Sequence, residues 1–342
     1  MRNPLSALIP AMAVFALLAL APSSLRAADI TLRYANFPPA ATFPCVQMER
    51  WKQEVEKRTG GAVSVRTFPG STLLGAKNMF RGVQQGQADI GCLCMSYQPG
   101  VFPLTTVADL PAGFSSAKVA SRTLWDLYTT FQPEEFKKVK VLTMFTSAPS
   151  NIMSEVPVKS LADLRGLEIR ASGTPSKVLG LLGATPVSMP MSETPEALQK
   201  GVVKGLLSSL EVLKDFNFAE TCRHETITNF PVYPFAVVMN LRTWNSLPEN
   251  VQKVMDDLAA EQAEWTGQYM DRHVQESLEW SRQKYGVKVY ELSEQELEAA
   301  RTRTAPLIQD WKNRAAEAGV DADKVLETLY SLKSRYEEQY AE

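Results

Sequence analysis

The chain has 342 residues, of which 45% are hydrophobic, and its 36 basic and 38 acidic side chains give a formal net charge of −2. This ordinary globular composition offers no basic excess with which to bind nucleic acid or anionic lipid. The two histidines, His224 and His273, have no partner at ligand spacing, so we predict neither a metal site nor a cofactor.

The first 27 residues have the layout of a secretory signal. Arg2 supplies a positive charge, an apolar run extends from Leu5 to Ala21, and the segment closes on the small residue Ala27. The run is slightly short for a membrane span of about 20 residues, which disfavours a retained anchor. We therefore predict cleavage near Ala27, export to the periplasm, and a mature chain that is not inserted in the membrane.

Strand and helix patterns alternate along the rest of the chain. We predict strands at 31–36, 63–68, 88–95, 140–145, 167–171, 185–189 and 236–240, and helices after the first strand and at 76–85, 176–182 and 193–201. Such alternation predicts an α/β fold with mostly parallel strands. About 315 residues after cleavage are too many for one compact core and suit two lobes.

The sequence of residues 248–285 predicts one long helix, because Pro248 is followed by no further proline and by one glycine, Gly267, up to Tyr285. Its length would be about 55 Å at 1.5 Å per residue, which exceeds the width of one lobe. Ser246 and Glu249 fit a capping box at its start. A coiled coil is the alternative, but the heptad pattern is not sustained, so we predict a helix that bridges two lobes.

The four cysteines, at 45, 92, 94 and 222, leave two interpretations open. In an oxidising compartment Cys45 could pair with Cys92 or Cys94. The favoured alternative is that all four are small buried hydrophobic residues.

Several short blocks occur in a specific order: Thr59-Gly60-Gly61, Phe68-Pro69-Gly70, 82–91, Asp109-Leu110-Pro111, 163–170, 182–187 and 244–248. In the order and spacing of these blocks, the chain resembles the DctP-type periplasmic solute-binding proteins of tripartite ATP-independent periplasmic (TRAP) transporters. The resemblance covers residues from about 29 to about 335.

The resemblance implies a two-lobed periplasmic-binding-protein-like fold, in which each lobe is a mostly parallel sheet flanked by helices. We assign residues 28–149 and about 238–265 to lobe I, and residues 150–237 and about 266–342 to lobe II. It implies no catalysis: the lobes close around a small organic acid, which passes to a TRAP membrane permease driven by an ion gradient. The oligomeric state stays open.

Arg170 is the principal candidate for ligand binding. It stands at the end of a predicted strand, where open α/β sheets bind ligands, and its planar guanidinium matches a carboxylate. The resemblance places it at the family's carboxylate-binding arginine. Where relatives carry an asparagine and a second arginine, this chain has Ser208 and Asn151. One arginine and few polar groups favour a monocarboxylate with an apolar or aromatic body over a diacid or sugar acid.

Further candidates lie in loops or at strand ends that face the presumed cleft, although each one alone is more often a packing residue. They are Phe37, Phe43, Ser96, Tyr97, Ser172, Met191, Tyr233 and Phe235.

Two other functions compete with uptake. A partner of a membrane sensor kinase would share the fold and the site. An exported enzyme acting on organic acids is disfavoured, because the chain contains neither Gly-x-Ser-x-Gly nor His-Glu-x-x-His.

Overall fold

The computed structural model describes residues 30–341. The predicted signal segment and its cleavage point near Ala27 lie outside the described residues. Among the helices of residues 30–341, none combines the length and the hydropathy that a membrane crossing requires.

Two sheets organise the described chain. The strands are β1 Ile30–Ala35, β2 Val63–Phe68, β3 Ile90–Cys94, β4 Val139–Thr146, β5 Ser150–Ser154, β6 Glu168–Ala171, β7 Thr185–Ser188, β8 Gly205–Ser208, β9 His224–Phe230, β10 Pro234–Asn240 and β11 Lys288–Glu291. The first sheet has the order β2-β1-β3-β10-β4, and the second has the order β11-β9-β5-β8-β6-β7. We call the part built on each sheet the first and the second lobe.

Each sheet has one strand that runs against the others. Strand β10 is antiparallel to β3 and β4, and β5 is antiparallel to β8 and β9, whereas the remaining neighbours run in one direction. The predicted two-lobed α/β fold with mostly parallel sheets is therefore confirmed.

Helices cover both sheets. They are α1 Phe43–Arg58, α2 Met79–Gln84, α3 Ala117–Phe131, α4 Thr174–Leu182, α5 Thr194–Gln199, α6 Val212–Asp215, α7 Leu241–Ser246, α8 Glu249–Tyr285, α9 Glu294–Thr304, α10 Pro306–Glu317 and α11 Ala322–Gln339. Local sequence explains their bounds: α1 has Pro44 in its first turn, Lys57 and Arg58 in its last, and Gly60 and Gly61 at positive φ beyond it.

Helix α8 runs along both lobes, as the long-helix prediction requires. On the first lobe, Gln262 donates to the backbone oxygen of Gln47 (2.8 Å) and the carbonyl of Ala259 accepts from Thr143 (2.8 Å). Further along, His273 bonds Asp215 of the second lobe (2.7 Å). These contacts tie one continuous helix to both halves of the molecule.

The predicted capping box of this helix is wrong. Residue Ser246 ends α7 instead, and its hydroxyl donates to the carbonyl of Thr243 (2.7 Å). Helix α8 starts at Glu249 with Pro248 as its N-cap, which has no side-chain hydrogen bond to offer.

Two short segments connect the sheets, 147–149 between β4 and β5 and 231–233 between β9 and β10. They are hydrogen-bonded to each other, because Ser147 N donates to Tyr233 O and Tyr233 N donates to Ser147 Oγ, both at 2.9 Å. Together they form the hinge between the lobes. Strand β10 begins at Pro234, so it extends across the predicted lobe boundary at 237/238 and belongs entirely to the first sheet.

The four cysteines are unpaired and buried in the structure, in agreement with the favoured interpretation.

Candidate ligand-binding site

Arg170, on β6, is fully buried between the lobes. Its Nε donates to the carbonyl of Met189 (3.0 Å), and its Nη2 donates to the hydroxyl of Tyr97 (3.1 Å) and lies 3.5 Å from Ser172 Oγ. Within residues 30–341 no carboxylate forms an ion pair with it. A buried cation is costly unless it is paired, so this guanidinium is suited to an anion that enters the cleft.

Two tyrosines flank the guanidinium. The ring centroids of Tyr97 and Tyr233 lie 5.9 and 5.8 Å from the Arg170 Cζ atom, within the range of cation–π attraction. The Tyr97 hydroxyl accepts from both Arg170 and the backbone N–H of Met191 (3.1 Å). Burial raises the pKa of Tyr97 to about 12, so this hydroxyl keeps a proton that it can donate to a bound carboxylate.

Aromatic side chains of the first lobe form the facing wall. Phe235, at the start of β10, meets Phe43 edge to face, with ring centroids 5.3 Å apart, and lies parallel to Phe37 at 6.5 Å. Phe37 in turn meets Tyr97 edge to face at 5.6 Å. These rings offer apolar surface and almost no hydrogen-bonding capacity to a ligand body.

The cavity between this wall and Arg170 brings together most of the residues predicted from the sequence. Those that line it are Phe37, Phe43, Tyr97, Arg170, Met191, Ser208, Tyr233 and Phe235.

Three predicted residues do not line the cavity. The Ser172 hydroxyl donates to the carbonyl of Met189 (2.8 Å) and so supports the loop that also holds Arg170. The Ser96 hydroxyl donates to Asp109 (3.1 Å). Asn151 is at the hinge: its Oδ1 accepts from the backbone N–H groups of Thr228 (2.8 Å) and Asn229 (3.0 Å), so the amide stabilises an irregularity between β5 and β9.

Sequence reasoning missed the acidic side of the cavity. Ser209, Glu211 and Asp215 line it, and Ser209 Oγ, Glu211 Oε2 and Asp215 Oδ2 are buried with no hydrogen-bond partner. Burial raises the pKa of Glu211 to about 7. The signal that could have identified these residues is their position directly after β8, at a strand end that the prediction did not recognise.

A polar contact joins the lobes beside the cavity. Asp109, in a short 3₁₀ turn of the first lobe (Thr105–Asp109), accepts from Ser96 and from the hydroxyl of Thr174 (2.6 Å), the first residue of α4 in the second lobe. Burial raises the pKa of Asp109 to about 6, although the two hydroxyl donors oppose the shift. Because this contact spans the cleft, it exists only while the lobes are together.

Gly173 is what allows this close approach. A Cβ on it would lie 2.7 Å from Ser96 Cβ and 3.0 Å from Asp109 Oδ2, and its φ of +61° and ψ of −142° suit glycine.

Among residues 30–341 there is no group of three or more His, Cys, Asp or Glu side chains that could hold a metal ion.

Comparison with known proteins adds a family. The model of bacterial extracellular solute-binding protein family 7, DctP, matches residues 35–314. A TRAP periplasmic solute-binding protein from Desulfovibrio salexigens is 65% identical, over 91% of this chain and 97% of that chain, with a TM-score of 0.83. Its crystal structure is an open complex, with the C-terminus of a symmetry mate bound in the ligand-binding site.

Two more distant proteins bind different acids. A marine metagenome TRAP solute-binding protein from an unidentified microbe, specific for aromatic acid ligands and solved with 3-hydroxybenzoate, is 29% identical; the match covers 90% of this chain and 98% of that chain, with a TM-score of 0.85. The 2,3-diketo-L-gulonate-binding periplasmic protein of Escherichia coli is 27% identical, over 63% of this chain and 67% of its own length.

Proposed function

Because the chain belongs to family 7 of the bacterial extracellular solute-binding proteins, the DctP-type receptors of TRAP transporters, we propose that it captures a monocarboxylate with an aromatic or apolar body. Members of this family bind organic acids. We further propose that this protein, after export and removal of the signal segment, delivers the bound acid to an ion-gradient-driven TRAP permease.

The observation that carries the proposal is the environment of Arg170. This buried guanidinium has no carboxylate partner in the described chain and sits beside a wall of phenylalanine rings. A ligand carboxylate would accept hydrogen bonds from the guanidinium of Arg170 and from the hydroxyl of Tyr97. An aromatic or apolar ligand body would pack against Phe37, Phe43 and Phe235. The related protein specific for aromatic acids supports this assignment, as does the 65% identical relative, whose site accepts a polypeptide C-terminus.

Two other acid classes suit the cavity less well. Arg170 is the only Lys or Arg among the residues that line this cavity, so the second carboxylate of a C4-dicarboxylate would have no cationic partner there and would face the acidic side chains Glu211 and Asp215. A sugar acid would place several hydroxyl groups against the phenylalanine wall, where they would lose hydrogen bonds to water without replacement.

Lobe closure provides the mechanism of capture. A ligand that touches Arg170 on the second lobe and the phenylalanine wall on the first favours the closed state because it gains both sets of contacts only there. The hinge at 147–149 and 231–233 would bend to bring them together. A binding protein that serves a sensor kinase would close in the same way. Binding of this protein to a purified permease, rather than to a kinase, would distinguish the two roles.

Isothermal titration calorimetry of the mature protein tests the ligand class, with benzoate and phenylacetate against succinate and gluconate. We expect an aromatic acid to bind, and Arg170→Met to weaken its binding by about 2–5 kcal/mol, because a buried charge pair loses one partner. Arg165→Met, at an exposed position in the same lobe, is the control and should bind normally. Binding of succinate or gluconate in preference to both aromatic acids would refute the proposal.

Stability provides a second readout of the same variant. Without ligand, Arg170→Met removes a buried unpaired charge, so its thermal midpoint should equal or exceed that of the unaltered protein. Lower affinity together with undiminished stability would separate a binding role from a structural one.

A further inference from the structure

A cluster of unpartnered oxygen atoms lies on the α6 side of the same cavity. Ser209 Oγ, Glu211 Oε2 and Asp215 Oδ2 are all buried without a hydrogen-bond partner in the described chain. Glu211 as a residue is only 3% exposed, and the Asp215 side chain only 4%. Leaving such groups unpaired costs about 1–3 kcal/mol each, more when they are charged. The Ser209 hydroxyl lowers the pKa of Glu211 as a weak hydrogen-bond donor would, so the clearest unpaired acceptors here are Glu211 Oε2 and Asp215 Oδ2.

One oxygen of this cluster's carboxyl groups has a partner within the protein. His273 Nε2 lies 2.7 Å from Asp215 Oδ1 and is itself stacked on Tyr269, with ring centroids 5.2 Å apart. Asp215 therefore has an imidazole partner on one oxygen, and its other oxygen is free to accept. Burial favours the neutral form of Glu211, whose pKa is about 7. A cluster of this kind suits a neutral donor better than an ammonium ion.

The cluster is separate from the carboxylate-binding group. The hydrogen bonds and ring contacts of Arg170 go to Met189, Tyr97, Ser172 and Tyr233, and none goes to Glu211 or Asp215. The cavity thus has a cationic place for a carboxylate, an aromatic wall, and an acceptor-rich place on its α6 side.

We propose that the ligand carries a hydroxyl group on its body, and that this hydroxyl donates its one proton to Asp215 and accepts a hydrogen bond from Glu211, so that the two side chains select hydroxylated acids. The proposal rests on the function proposed above and narrows the ligand to a hydroxy-substituted aromatic or apolar monocarboxylate. Such a hydroxyl also presents an oxygen that can accept from the Ser209 hydroxyl or from protonated Glu211.

Calorimetry with matched acids tests it: phenylacetate, its 2-, 3- and 4-hydroxy derivatives, and the methoxy derivative of the preferred isomer. We expect at least one hydroxy isomer to bind about 10- to 150-fold more tightly than phenylacetate, the range for a hydrogen bond to a charged group. The methoxy derivative cannot donate and should lose this advantage. Equal affinities of phenylacetate and all three isomers would overturn the proposal, since water would then satisfy the cluster equally well.

Variants assign the effect to the cluster. In Glu211→Gln and Asp215→Asn, the affinity ratio of the preferred hydroxy acid to phenylacetate should fall to a few-fold or less. The exposed Glu220, with a Glu220→Gln change, is the matched control and should keep the full ratio. A ratio that persists in both cluster variants would overturn the assignment, and the unaltered protein still answers the ligand question if either variant fails to fold.

The two proposals fail in distinguishable ways. If phenylacetate binds through Arg170 but no isomer is preferred, only the hydroxyl inference is lost. If no aromatic acid binds, the proposed ligand class is refuted and this inference with it.

Discussion

Replacing Gly173 by alanine should weaken ligand binding although Gly173 does not line the cavity. The added Cβ would lie 2.7 Å from Ser96 Cβ across the cleft, closer than real Cβ contacts, and 3.0 Å from Asp109 Oδ2, at their short limit. Ser96 and Asp109 belong to the first lobe and Gly173 to the second, so the collision exists only when the lobes are closed. The open state escapes it, and the equilibrium shifts toward opening.

The size of the effect follows from the cost of overpacking. An extra carbon in a tightly packed contact costs about 1–3 kcal/mol. If this cost falls on the closed state alone, the apparent affinity drops by roughly 5- to 150-fold. Calorimetry measures the affinity, and small-angle X-ray scattering of the liganded protein measures how completely the lobes close.

Gly166→Ala is the control for backbone strain. Gly166 is in the same lobe with a φ of +71°, but a Cβ there would have nothing within 4 Å. It should lower the thermal midpoint without changing affinity beyond about twofold. Adding Ser96→Gly to Gly173→Ala removes the nearest obstructing atom and should restore part of the binding. Unchanged affinity in Gly173→Ala, or the same loss in Gly166→Ala, would contradict the reasoning.

Three further outcomes can be measured. Burial raises the pKa of Glu225 to about 8, and both of its side-chain oxygens lack partners in the described chain. As pH rises above 4.5, Glu225 ionises first in the unfolded chain, so the free energy of unfolding falls. In urea unfolding, Glu225→Gln should therefore be up to about 3 kcal/mol more stable than the unaltered protein at pH 7, and this difference should disappear near pH 4.5. Thr174→Val removes the 2.6 Å donor to Asp109 across the cleft and should weaken binding about 3- to 10-fold in calorimetry, whereas unchanged affinity would show that this contact does not hold the closed state. Gly267→Ala would set a Cβ 2.5 Å from Lys118 Cα and should lower the free energy of unfolding by about 1–3 kcal/mol or more, while Gly75→Ala, with open space around it, should change it by less than about 1 kcal/mol; equal effects would show that the α8–α3 approach is not tight.

Elements with strong local signals were predictable. The apolar run of β3 and the uninterrupted helical pattern of 248–285 gave both elements nearly as observed, because burial on all sides and the absence of breakers are readable in a single sequence. Arg170 was predictable through the family resemblance and its strand-end position, and the structure places it in the cavity.

What escaped prediction depends on tertiary pairing. Strand β5 contains Ser150, Asn151 and Ser154, and β9 contains polar residues throughout, so neither has an apolar run; their partners in the sheet stabilise them. Because β8 was missed, its end was missed too, and Glu211 had no apparent site. Asn151 was assigned to the ligand, but β5 places its amide at the hinge, where the backbone of β9 needs an acceptor.

The strand order of the first sheet has a consequence for how the polypeptide acquires its fold. Strand β10 lies between β3 and β4, yet it follows β4 in the chain by more than eighty residues. A chain ending before residue 234 would leave β3 and β4 as two unpaired, largely apolar edges that invite association with other molecules. Neither lobe is formed by one continuous segment of the chain. The first sheet can therefore be completed only after the second lobe's strands β5 to β9 have been synthesised, although β1, β2 and β3 can pair earlier.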